Sequence, residues 1–157
     1  MVNVRTLEAF LKARGWTRAE LARRVGVSRQ AVSLWFRGEQ ANLQGRHLIR
    51  LSRVLGVPVE SVAGRLPCFE PETRDQLRAM LLWDRAYPDL DDLVVALNAR
   101  DPRALGRFAE VYGLFSAEAA LGPFVWKGFP DYNRHIHPAR RVELETLWAW
   151  HERRTAA

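Results

Sequence analysis

The sequence predicts an all-α protein in two helical parts, and three observations carry that prediction. Apolar residues recur at three- and four-residue spacing through most of the 157-residue chain. Ser, Thr or Asp precedes several of these stripes, and Gly or Pro closes them. No stretch shows the apolar–polar alternation of a half-buried strand.

A first helix is expected from about Thr6 to Arg14, with Leu7, Phe10 and Leu11 inward and Gly15 as its stop. Thr17 is placed to cap a second helix, with Glu20 three residues on to complete a capping box. Leu21, Ala22 and Val25 supply its apolar face. Gly26 can take the left-handed backbone that ends a helix without the steric cost of a side chain. Val27 then points back to the core and Ser28 caps a third helix. That helix buries Ala31, Val32 and Trp35, leaving Arg29, Gln30, Ser33 and Leu34 outward. Two short helices joined this tightly meet at a steep angle, so the second can enter a DNA major groove while the first crosses the backbone. A loop from Glu39 to Asn42 leads to a fourth helix carrying Leu48, Leu51, Val54 and Leu55, ended by Gly56. Pro58 opens a short fifth helix through Val62, and Gly64 ends it.

The prolines Pro67 and Pro71 block helix continuation, so 67–71 reads as a linker between a domain at 1–66 and a helical region at 72–157. In that region Leu77, Met80 and Leu81 share one helical face, and Leu90, Leu93, Val94 and Leu97 mark another helix. Asp101-Pro102 is a cap followed by a first-turn proline, opening a helix with Leu105, Phe108, Tyr112 and Phe115 inward. Ser116 caps a short helix ended by Gly122. After an irregular stretch from Pro123 to Pro138, a final helix carries Leu144, Leu147, Trp148 and His151 at helical spacing.

The run from Val4 to Pro67, about two-fifths of the chain, resembles the Cro/CI-type (XRE-like) helix-turn-helix repressors. The residues that carry the resemblance are Glu20-Leu21-Ala22, Gly26-Val27-Ser28, Val32-Ser33-Leu34-Trp35 and Arg37-Gly38. Arg18 stands where the family commonly has Gln, and Phe36 where it often has Glu. The resemblance implies a five-helix, lambda-repressor-like DNA-binding domain. In that fold Arg29, Gln30, Ser33 and Leu34 would reach bases: Arg can bind guanine O6 and N7, Gln adenine N6 and N7, and Leu a thymine methyl. Phosphate contacts would come from Arg18, Ser28, Arg37, Gln40, Asn42 and Arg46, with backbone N–H groups at helix starts.

Charge agrees with that division. Residues 1–66 hold twelve Lys or Arg against four acids, a net +8, while residues 67–157 hold twelve against fourteen, a net −2. The whole positive excess therefore lies on the part expected to meet phosphates. No apolar run is long enough to cross a bilayer, and the start of the chain lacks the pattern of a signal peptide. A lone cysteine, Cys68, excludes an internal disulfide framework, so a cytoplasmic protein without membrane contact is expected.

Catalytic and cofactor readings find little support. Ala63-Gly64 could be a self-cleavage bond, but that chemistry needs a serine activated by a lysine. The C-terminal part has only Ser116 and Lys127, with no strand pattern to bring them together. His135 and His137, with Glu143 or Glu145, could ligate a metal, yet a close His pair before Pro138 is more simply a turn feature. Phe124, Trp126, Phe129 and Tyr132 read first as core, and second as a small-molecule pocket or docking surface. No catalytic residue, metal or cofactor is expected. The expectation is a sequence-specific regulator of double-stranded DNA, most simply a repressor that is a homodimer through its C-terminal part. The alternative is an antitoxin-type protein whose C-terminal part binds a toxin-like protein while the N-terminal part represses their operon.

Overall fold

The computed structural model describes residues 2–38, 40–63 and 74–156, without the Gln40 side chain. The 67–71 segment expected as a linker lies outside the described residues, as do Glu39, Gly64 and Cys68. The chain forms two compact units, Met1–Ala99 and Arg100–Ala157, and the described residues hold eleven α-helices.

The first unit begins with strand β1 (Val2–Asn3) antiparallel to β2 (Gln40–Ala41), Val2 opposite Ala41. Two residues are too few to show strand alternation, so this ladder has no signature in the sequence. The Asn3 side chain accepts from the N–H groups of Arg5 (2.9 Å) and Thr6 (3.4 Å), so helix α1 (Val4–Ala13) starts earlier than apolar spacing indicates. It is followed by α2 (Arg18–Val25), α3 (Arg29–Trp35), α4 (Gly45–Leu55) and α5 (Val59–Ala63). Leu7, Phe10, Leu11, Leu21, Val25, Val32, Trp35, Leu51, Leu55 and Val62 form one core, with Leu48 packed at its margin. Each fully buried large apolar side chain there contributes about 1.5–3 kcal/mol over its exposed state.

Arg14 ties α1 to the end of α4 by donating to the carbonyls of Val54 (3.2 Å) and Leu55 (2.6 Å). These are carbonyls that the helix itself leaves unpaired. Burial, and then the nearby Arg24, pull the Arg14 guanidinium below its usual pKa. The ring of Trp16 meets both cations, with Arg14 at 5.0 Å and Arg24 at 4.2 Å from its centroid.

Two more helices complete this unit, α6 (Arg74–Leu81) and α7 (Leu90–Asn98). Leu77 and Leu81 are buried on α6, but Met80, expected on the same face, is 40% exposed. It lies about 100° round the helix from Leu81, off a narrow seam. Asp89 caps α7, accepting from the N–H groups of Asp91 (2.8 Å) and Asp92 (3.1 Å). Leu90, Leu93, Val94 and Leu97 are buried as expected, and α7 packs on α1. Lys12 on α1 reaches Asp91 (2.6 Å) and Asp89 (3.3 Å), and Arg74 meets Asp91 at 3.2 Å. The hydrogen bond to Asp91 raises the Lys12 pKa against the opposing effect of burial. Burial pushes the Asp89 carboxyl upward, but the N–H groups of Asp92 and Asp91 and the Lys12 ammonium hold it below its ordinary value. Because α7 shares apolar and ionic contacts with α1, the first compact unit takes in the described residues up to Ala99.

In the second unit Asp101 caps α8 (Pro102–Leu121), with Pro102 in its first turn. The helix kinks at Gly113, whose φ of 76° and ψ of 167° are not helical. Leu105 and Phe108 are buried before the kink, and Leu114 and Ala117 after it. Phe115 was expected inward but is 52% exposed, because the kink rotates the second segment out of phase with the first. The same break shifts the new segment's start upstream of Ser116, which is exposed.

The stretch expected to be irregular holds two one-turn helices, α9 (Phe124–Lys127) and α10 (Phe129–Tyr132), and a 3-10 turn (Asn133–His135). Elements of four residues are too short to display helical periodicity. Trp126, Phe129 and Tyr132 are core, while Phe124 is half-buried beneath the Arg100 guanidinium. The last helix, α11 (Pro138–Thr155), buries Leu144 and half-buries Leu147, Trp148 and His151. The indole N–H of Trp126 donates to Glu118 (2.7 Å), and that of Trp148 to the Trp126 carbonyl (3.0 Å). The His151 ring stacks on Trp126 at 3.9 Å. The Tyr132 hydroxyl donates to the Val125 carbonyl (2.8 Å), and burial raises its pKa.

Candidate nucleic-acid interface

The α2–turn–α3 unit is built by its end residues. Thr17 Oγ1 accepts from the Glu20 N–H at 3.2 Å and starts α2. The Glu20 carboxylate turns to Arg23 (3.3 Å) and Arg24 (3.7 Å) along the helix. Gly26 takes φ 73° and ψ 44°, and its N–H and that of Val27 both donate to the Ala22 carbonyl. This left-handed closure is the conformation that a side chain would oppose. Ser28 Oγ accepts from the Ala31 N–H at 3.1 Å and starts α3.

Helix α3 has two distinct faces. Val32 is fully buried and Trp35 nearly so, with Ala31 half-buried beside them. Arg29, Gln30, Ser33 and Leu34 are all exposed. They form two i,i+4 pairs, Arg29 with Ser33 and Gln30 with Leu34, and so make one continuous patch. Leu34 is 57% exposed, a large apolar side chain standing in water at the edge of a polar patch. An open depression of about 480 Å³ runs beside this patch, lined by Thr17, Ala19, Glu20, Ala22, Arg23, Val27 and Arg29. The free N–H groups at the starts of α2 and α3 add partial positive charge there.

Of the side chains expected to contact phosphate, Arg18, Ser28, Arg37, Asn42 and Arg46 are exposed. The side chain of Gln40 lies outside the described residues. Ser28 already uses its hydroxyl oxygen as the α3 cap. Arg18 is not free in solvent: its guanidinium lies 4.3 Å over the Phe36 ring and 3.7 Å from the Glu8 carboxylate. The two positions at which the chain departs from the family habit, 18 and 36, thus touch each other. Neither Glu8 nor the role of Phe36 has a local signal, since the pairing joins three separate helical segments. Arg50, on the exposed side of α4, comes within 3.5 Å of where a Cβ on Gly26 would stand, and adds a further cation near the turn.

Elsewhere the candidate residues have structural duties. His135 Nε2 accepts from Arg134 (3.3 Å), and His137 Nδ1 caps α11 by accepting from the Ala139 N–H (3.3 Å). Among the described residues no group of three or more His, Cys, Asp or Glu is arranged to hold a metal ion. Among the same residues no helix is long and apolar enough to cross a membrane.

No curated protein and no solved structure matches the chain. A protein-family model described as helix-turn-helix matches residues 7–62, a little over a third of the chain. The match takes in α1 to α5 almost whole, with the Gly26 turn and the exposed face of α3 inside it. This N-terminal part of the chain is accordingly a helix-turn-helix domain of the XRE type, a family of DNA-binding domains of transcription regulators.

Proposed function

We propose that the chain is a sequence-specific transcription regulator, most simply a repressor, that binds a pseudo-palindromic site as a homodimer. The observation that carries the reading is the continuous exposed face of Arg29, Gln30, Ser33 and Leu34 on a helix anchored by Val32 and Trp35. These side chains read base edges in the major groove. Arg18, Ser28, Arg37, Gln40, Asn42 and Arg46 hold the phosphates on either side. One such domain buries little surface, and a two-fold dimer doubles the contacts on half-sites about 34 Å apart. The test is selection of bound duplexes from a random pool, followed by footprinting on the selected site. A recovered inverted repeat with a protected spacing of one helical turn supports the reading. Recovery of no sequence preference overturns it.

A surface in the second unit supports the dimer. Phe115 and Trp150 are both exposed, with ring centroids 6.5 Å apart, and Arg154 covers part of Trp150 at 4.9 Å. The antitoxin-type reading puts a toxin-like protein on this same surface and keeps repression for the N-terminal domain. A co-expressed product of an adjacent gene that co-purifies with the chain distinguishes that reading from the homodimer.

A further inference from the structure

We infer that Phe36 and Glu8 set the position and the availability of Arg18, so that this trio tunes how tightly the domain grips the DNA backbone. The inference rests on the DNA-binding reading above and adds two residues to it, neither of which need touch DNA.

Arg18 is the first residue of α2, and its chain neighbours Thr17 and Ala19 line the depression beside α3. Its side chain is 54% exposed, so it can reach a phosphate. A free arginine at such a place would spend its time among many rotamers, and binding would have to freeze one of them. Here the guanidinium lies over the Phe36 ring at 4.3 Å, well within the distance at which a ring face attracts a cation. Phe36 is itself held, half-buried against the core at the end of α3. The ring therefore orders Arg18 from below without itself occupying the N–H donors, since a stacked guanidinium still presents them in its plane. Leu or Ala at 36 would remove the platform and return the side chain to disorder.

Glu8 acts in the opposite sense. Its carboxylate, on α1, is 3.7 Å from Arg18 and is as exposed as the arginine. An incoming phosphate must displace it or share the cation with it, and the carboxylate itself repels the phosphate. Such an exposed pair is weak, so it attenuates the contact and does not abolish it. Phe36 favours binding and Glu8 opposes it, and both act through one guanidinium.

The test measures binding of the full chain to a fluorescent 30-base-pair duplex of mixed sequence by anisotropy, across a salt series. Arg18→Ala is expected to weaken binding and to lower the slope of log K against log salt by about 0.9, the loss of one phosphate contact. Glu8→Gln is expected to tighten binding about two- to five-fold at low salt, and Phe36→Leu to weaken it about two- to five-fold. Phe36→Tyr keeps the ring face and is expected to bind as the native chain does. In an Arg18→Ala background both effects should vanish, whereas a merely structural role for Phe36 would persist there. Circular dichroism of Phe36→Leu separates loss of the platform from loss of the fold. Effects of Glu8→Gln or Phe36→Leu that survive without Arg18, or that are absent in a chain that binds the duplex, overturn this inference alone. A native chain that does not bind the duplex overturns the DNA-binding reading and this one together.

Discussion

Arg29 and Gln30 directly follow Ser28, so the cap that starts α3 also fixes where their side chains leave the helix. Both are exposed, and nothing in the core depends on them. Arg29→Ala and Gln30→Ala should therefore each cost about 1–3 kcal/mol on the selected site and relax base preference at one position. Thermal unfolding of either variant should match the native chain, and unchanged footprints in both would show that α3 is not the reading helix. Ser28→Ala is expected to differ by lowering stability about 1 kcal/mol, because the Ala31 N–H loses its acceptor. The residues that build this face were legible in the sequence because their causes are local. Thr17, Gly26 and Ser28 each act within three or four positions of themselves. Arg18 was legible as a cation but not as a stacked one, since Phe36 and Glu8 reach it only after the chain has folded.

Helices depend on causes at longer range, and there the sequence misleads at definite places. Spacing alone puts Phe115 in line with Leu105, Phe108 and Tyr112, but Gly113 interrupts the phase, and Leu114 takes the buried position instead. A side chain at 113 would have to hold φ near 76°, so Gly113→Ala is expected to destabilise by about 1 kcal/mol or more. Space is not the obstacle there, for the nearest atom to a Cβ is the Arg140 guanidinium at 3.9 Å. Gly106 is the opposite case. A Cβ there would lie 2.9 Å from the His135 Cβ and 3.2 Å from the Tyr132 carbonyl, so the cost is a clash. Melting curves of the two alanine variants, compared with the native chain, check both. The larger surprise is α7, whose pattern was plain but whose partner was not, because Lys12 and Asp91 are 79 positions apart. A fragment of residues 1–99 should consequently unfold at higher denaturant than one of residues 1–66, which leaves the α7-facing side of α1 uncovered. Equal midpoints would show that α7 adds nothing. The ionic part of that docking carries a pH signature. Asp89 is held below its ordinary value of 3.8, so its contribution is complete above that pH and is lost as the pH falls through its lower folded value. Lys12 is raised above 10.5, so its contribution is complete below that pH and is lost only as the pH rises through the folded value. The stability difference between the native chain and Lys12→Ala should shrink on acidification below 3.8, and again in strong alkali.

For the molecule as a whole, the second unit accompanies a domain that already carries the exposed α3 face proposed to read DNA. The net +8 of residues 1–66 against −2 for residues 67–157 separates the work, so DNA affinity should fall steeply with salt and reside in the first part. The second unit has its own core around Trp126, Phe129, Tyr132 and Leu144, and yet leaves Phe115, Val142 and Trp150 in water. Exposed large aromatics of this kind are the residues that dominate protein interfaces when they are covered. The stripe expected from sequence was wider, but the kink at Gly113 divides it: Leu105 and Phe108 serve the interior, and Phe115 faces out. We therefore expect the full chain to have a mass of twice 18.0 kDa at micromolar concentration, and residues 1–99 to be monomeric. Phe115→Ser with Trp150→Ser should shift the full chain toward monomer without altering α3. Because the two half-sites are then no longer linked, affinity for the inverted repeat should fall far more than affinity for a single half-site. Light scattering of the three proteins, with binding measured on both duplexes, checks the chain of argument. A dimer that survives the double substitution moves the two-fold axis to the first unit and leaves Phe115 and Trp150 for a different protein.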